Sequence, residues 1–284
     1  MLRNLLIASK IFRSVVIAMI FFAASSCQKN YFQGFGTQTD DESLYFTARE
    51  YLRNSSYTNA ISSCAALSAT YLKRDDVAIV CASAFAGRAG YSLSWMETNL
   101  AAILAAPPIL KKMFVTQFLS IAAATATTNV ADLDAAESIL RNIGSASVRS
   151  DDANMFMAML SIYKLGMLAK SLADTNSDGT LDPAFDACGT VSVANQKLFG
   201  SALWELKAST TAISAISFIA PVYTAVNTLC TTLAGAPISE DLCGATDPTN
   251  LSATQLKGAM SAVKEGGAFG VGQCGALGGA CYCP

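Results

Sequence analysis

From Ser43 onward the apolar residues recur at helical spacing. Leu44, Ala48, Tyr51 and Leu52 form one stripe, Asn54 to Ser56 interrupt it with small polar residues, and Tyr57, Ala60, Ile61, Cys64 and Leu67 form a second. Residues three and four apart share a helix face, so the pattern predicts two amphipathic helices joined by a short turn. Past Trp95 the register fades, and Pro107 and Pro108 set a boundary because their torsions disfavour a continuing helix. A weakly polar helix is predicted over 109–125. Asp132 or Asp134 is expected to cap a helix that runs to Ile143 and stops at Gly144. Asp151 or Asp152 opens another, which carries Met155, Met159, Ile162, Leu165 and Leu168 as core filling. Residues 191–229 read as helices divided at Pro221, with no charge over 209–229, and 256–263 as one more short helix. The fold class predicted is all-α, built of stacked antiparallel helical hairpins with a disulfide-stapled C-terminal region.

Residues Leu44 to Leu72 resemble one tetratricopeptide repeat, with small Ala48 and large Tyr51 in the first helix and Tyr57-Thr58-Asn59-Ala60-Ile61 opening the second. Ser55 stands where the repeat has glycine, and Leu72 where it has a late proline. Advancing by 34 residues maps Ala48 to Ala82, Tyr51 to Phe85, Tyr57 to Tyr91 and Ala60 to Ser94, which suggests a weaker second repeat from Asp75 or Asp76 with its turn at Gly87 to Gly90. The resemblance covers about 55 residues and implies a helical surface that binds other proteins.

The first 26 residues have another organisation. Arg3, Lys10 and Arg13 precede an apolar run from Ser14 to Ala24, followed by Ser25, Ser26 and Cys27. A positive region, a short apolar region and small residues form a secretory signal. With the cysteine, the segment resembles a bacterial lipoprotein signal, which implies cleavage after residue 26, fatty acylation of Cys27 with chains of the palmitate class, and attachment to a membrane. Gln28 resembles the residue that sorts such proteins to the outer membrane, facing the periplasm. The competing reading is an uncleaved anchor, but the clean run of about 11 residues is short against the roughly 20 a spanning helix needs. The expected organisation is a signal peptide at 1–26, a lipidated tether at 27–42, an α-helical domain at 43–265 and a glycine- and cysteine-rich tail at 266–284.

Charge and cysteine content narrow the function. Nineteen basic against 21 acidic residues give the 284-residue chain a net charge of −2. Removing Arg3, Lys10 and Arg13 makes the remainder more acidic, which disfavours nucleic acid as a partner. With no histidine, the chain has no Ser-His-Asp or Cys-His nucleophile system and no histidine-bearing metal site. No residue is assigned a catalytic role, and the protein is expected not to be an enzyme. Once Cys27 is set aside, Cys64, Cys81, Cys188, Cys230, Cys243, Cys274, Cys281 and Cys283 remain. An even number in an exported chain favours disulfides. Cys64 and Cys81 are nearly equidistant from the turn near Leu72 and should face one another across a hairpin. Cys230 and Cys243 bracket a loop, and the pairing among Cys274, Cys281 and Cys283 stays open.

The stretch Asp174-Thr175-Asn176-Ser177-Asp178-Gly179-Thr180-Leu181-Asp182 sets oxygen-bearing residues at alternate positions, with a glycine where the chain must turn. Ca²⁺ takes six to eight hard oxygens, and Asp174, Asn176, Asp178, the Thr180 carbonyl and Asp182 could supply them. The loop resembles an EF-hand calcium loop, except that Phe185 holds the twelfth position, where the resemblance calls for a clamping glutamate. One isolated loop lacks the paired arrangement by which EF-hand sensors open a groove, so a structural Ca²⁺ is expected rather than a sensing one. The functional expectation is a membrane-anchored envelope lipoprotein that acts as a helical scaffold for another envelope protein. The alternative is a small-molecule-binding component of an envelope transport system, which would need an enclosed apolar pocket.

Overall fold

The computed structural model describes residues 40–91, 127–216, 220–235, 241–265, 270–274 and 281–284. Among them run eight α-helices: α1 Asp41–Arg53, α2 Tyr57–Ala65, α3 Asp75–Arg88, α4 Thr127–Arg141, α5 Asp151–Ala173, α6 Val193–Ala212, α7 Ala220–Ala234 and α8 Ala253–Lys264. They stack as antiparallel hairpins, α1 on α2, α3 on α4 and α5 on α6, with α7 and α8 laid against α6. The helix predicted over 109–125 and the partner helix of a second repeat lie outside the described residues.

The caps follow from local sequence. Asp40, Ser150 and Ser192 accept from the third amide beyond them and open α1, α5 and α6. Ser252 and Gln255 form a reciprocal capping box on α8. α3 ends in a Schellman motif: the Tyr91 amide donates to the Ala86 carbonyl at 2.8 Å, the Gly90 amide to Gly87 at 3.0 Å, and Gly90 has φ +97°. Gly87 itself lies inside α3, where an added Cβ would sit 2.3 Å from the Tyr57 ring. It serves the close approach of two helices, not the turn.

Asp132 and Asp134 do not cap α4. The helix begins earlier, at Thr127, and turns both carboxylates toward cations on neighbouring helices. Asp132 receives Arg88 of α3 through two bonds of 2.7 and 2.8 Å.

α5 forms the centre of the core. Its length and hydropathy would suit a membrane span, but 78% of its most apolar window is buried inside the protein. Leu133, Leu140, Phe199, Leu206, Leu256 and Val263 pack around its Met157 and Leu160 in one continuous core with Val271 and Cys283 of the C-terminal tail. A smaller cluster of Tyr45, Ala48, Cys64, Leu67, Val77 and Cys81 holds α1 to α2 and α3.

Four disulfides staple the described chain. Cys64–Cys81 links α2 to α3 and Cys230–Cys243 closes the loop after α7. Cys274–Cys281 and Cys188–Cys283 settle the pairing that the sequence left open.

Candidate functional site: an acidic loop and a buried charge network

The loop after α5 folds on itself. Asp174 is buried and accepts the amides of Asp178 at 2.9 Å and Gly179 at 3.1 Å. Asp178 accepts the Thr180 amide at 2.8 Å and hydroxyl at 2.6 Å, and Asn176 donates to its other oxygen at 2.9 Å. The Thr180 contacts hold the Asp178 carboxyl below its ordinary range. Asp182 accepts the amide and hydroxyl of Thr175 at 2.9 and 2.5 Å. Ser177 at φ +58° and Gly179 at φ +84° provide the sharp turns.

The donor chemistry fits a hard cation, since the side chains supply only oxygen and each carboxylate keeps unused lone pairs. Among the described residues no group of three or more His, Cys, Asp or Glu side chains converges as a metal site. The predicted ligands thus share one turn, with their carboxylates engaged by the turn's own amides. Cys27 lies outside the described residues.

A second constellation sits between α4, α5 and α6. The Lys164 ammonium, wholly buried, donates to Asp134 at 2.6 Å, Glu137 at 2.7 Å and Ser201 at 3.0 Å. Glu137 also accepts the Ser161 hydroxyl at 2.9 Å and faces Arg141 at 3.5 Å. Arg141 reaches on to Glu205 at 3.7 Å, and Arg149 pairs with the same carboxylate at 3.1 Å while contacting Asn154 and Ser209. Three cations thus balance three carboxylates. Burial pushes the Glu205 carboxyl above its ordinary value, with Arg149 opposing the shift.

The geometry does not activate a nucleophile. All three ammonium protons of Lys164 have acceptors, and Ser201 directs its own hydroxyl to the Leu198 carbonyl at 3.1 Å. The lysine is a paired cation here, not a base aimed at the serine.

Comparison with protein-family models, curated proteins and solved structures finds no match. Both constellations are therefore read from their own chemistry. The sequence pattern located the acidic loop but not the network. Its one sequence signal is Lys164, a cation in the middle of an apolar helix, which must find a partner when buried. Asp134, Glu137 and Arg141 lie on one face of α4 by their spacing of three and four residues, yet only the packing of α4 on α5 shows whom they face.

Proposed function

We propose that this chain is an exported, lipid-anchored protein of a bacterial envelope and a non-enzymatic scaffold for another envelope protein. The cysteine pairing carries the reading. Four disulfides take up all eight cysteines beyond Cys27, and the unmatched one stands directly after the apolar run and Ser25-Ser26. Stable disulfides belong to oxidising compartments, and an acyl group on Cys27 would hold the helical stack at a membrane. In support of the scaffold role, α1 leaves the aromatic side chains Phe46 and Tyr51 exposed, while the buried ionic groups are occupied with one another.

Intact mass after expression in a lipoprotein-processing bacterium tests the anchoring. The expected mass is that of a chain beginning at acylated Cys27, with eight thiols alkylated only after reduction. Retention of residues 1–26, or thiols that label without reduction, overturns it. For the scaffold, Phe46→Ser with Tyr51→Ser is expected to abolish crosslinks to an envelope protein at unchanged melting temperature. Crosslinks that persist in that variant overturn the assignment of the contact to these two side chains.

A structural Ca²⁺ in the Asp174–Asp182 loop belongs to the same proposal. Millimolar Ca²⁺ should raise the melting temperature of the wild type in a concentration-dependent way and have no such effect on Asp178→Asn. Equal shifts in both proteins would remove the ion from the account.

A further inference from the structure

Two disulfides meet at the C-terminus. Cys274–Cys281 spans a separation of seven residues and Cys188–Cys283 one of 95, and only Tyr282 stands between Cys281 and Cys283. Cys281 and Cys283 are 2% and 4% exposed, whereas Cys274 and Cys188 are partly exposed. Each bridge therefore has one accessible end and one buried end, and the two buried ends are near neighbours in the chain. The other bridges lack this layout: both ends of Cys64–Cys81 are buried, and Cys230–Cys243 has no second bridge adjoining it in sequence.

We propose that the paired bridges form a thiol–disulfide exchange site whose substrates are thiolates and whose product is a Cys281–Cys283 bridge. An incoming thiolate attacks the sulfur of Cys274, the partly exposed end of its bridge. The bond to Cys281 breaks, and the electron pair leaves on Cys281 as a thiolate. That thiolate attacks Cys283, the Cys283–Cys188 bond breaks, and Cys188 departs as a thiolate that takes a proton from water. A second external thiolate attacks the external sulfur of the mixed disulfide on Cys274, giving the small disulfide and a free Cys274 thiol. Two external thiols become one external disulfide, and two protein disulfides become one protein disulfide and two thiols, so electrons and protons balance. Attack at Cys188 runs the same sequence from the other end and reaches the same product.

Two features favour the inner step. Residues two apart in a bent backbone have Cα atoms roughly 5–7 Å apart, a range that overlaps the span a disulfide can bridge. The attack is also intramolecular, at the high effective concentration of neighbouring groups. The consequence reaches the acidic loop. Cys188 lies on the stretch that follows it, which Gln273 also holds by accepting the Ala187 amide at 3.0 Å and donating to the Phe185 carbonyl. Exchange cuts the covalent tie between this stretch and the C-terminus and leaves the hydrogen-bonded one. The inference needs no lipid on Cys27, so it stands or falls separately from the anchoring.

The test is partial reduction of the full oxidised protein with substoichiometric dithiothreitol, followed by acid quenching, alkylation and peptide mapping. The expected first product carries label on Cys188 and Cys274 and an intact bridge within the Cys281-Tyr282-Cys283 peptide. Label on both partners of one original bridge with its neighbour intact overturns the proposal. So does simultaneous labelling of all four cysteines, or first labelling confined to Cys64, Cys81, Cys230 and Cys243. The variant Cys188→Ser gives a second readout, in which the single free thiol is expected on Cys274. A free thiol that stays on Cys283 overturns the relay, and if the variant does not accumulate, the wild-type mapping decides alone.

Discussion

Lys164 shows what one charged residue demands of its surroundings. An ammonium with no exposure is tolerable only because Asp134, Glu137 and Ser201 receive its three protons. Removing one partner of such a pair leaves a buried charge uncompensated. Lys164→Met is expected to cost about 3–5 kcal/mol in denaturant unfolding. Adding Glu137→Leu should recover part of that loss, because the second change removes the orphaned carboxylate; a strictly additive double variant would contradict the pairing. Glu205 tests the same network by titration. Burial raises its folded pKa above the ordinary 4.5, so the folded state holds the proton more readily than the unfolded one. Its contribution to stability is therefore full below about pH 4.5 and declines as pH rises through the folded value. The cost of Glu205→Gln should be larger near pH 4 than near pH 7. A cost that grows with pH would mean that the guanidiniums outweigh burial.

The first hairpin shows how an element tolerates a residue its geometry does not favour. α1 ends in a Schellman motif, with the Ser56 amide donating to Tyr51 at 2.8 Å and the Ser55 amide to Leu52 at 3.0 Å, and Ser55 occupies the left-handed position at φ +56°. A side chain there opposes the conformation, and glycine removes the opposition. Ser55→Gly is exposed and loses no described side-chain contact. It should stabilise the protein by about 0.5–1 kcal/mol after glycine's larger unfolded-state entropy is deducted, as thermal unfolding would show. Gly87 illustrates the opposite case. Its place in α3 is set by the Tyr57 ring, a constraint that arises from the neighbouring helix and not from the turn.

Over the whole molecule, the disulfides span sequence separations from 7 to 95 residues, and these separations rank their effects. Closing a longer loop removes more freedom from the unfolded chain. Paired serine replacements are expected to cost about 4–5 kcal/mol at Cys188 and Cys283, about 3 at Cys64 and Cys81, and about 2–2.5 at Cys274 and Cys281. Denaturation of the three double variants checks the order, and equal losses would show that native strain or residual structure dominates instead. The Cys188–Cys283 bridge also holds the C-terminus, whose Val271 and Cys283 complete the main core.

Periodicity and cap residues in the sequence were enough to determine the all-α class, the first hairpin, the start of α5, the position of the acidic turn and the Cys64–Cys81 bridge, because each depends on residues close in the chain or on one hairpin; α8 begins at Ala253, ahead of the 256–263 read from the pattern. Packing decided the rest. Asp132 and Asp134 carry the signature of helix starts, yet Arg88 and Lys164 draw them into interhelix pairs. Cys281 and Cys283 are chemically equivalent in sequence, and their partners follow from where the tail lies against the loop after α5. The charge network exists only where α4, α5 and α6 meet. A buried ion needs counter-charges within a few ångströms, and only tertiary contact brings residues so distant in the chain to that range.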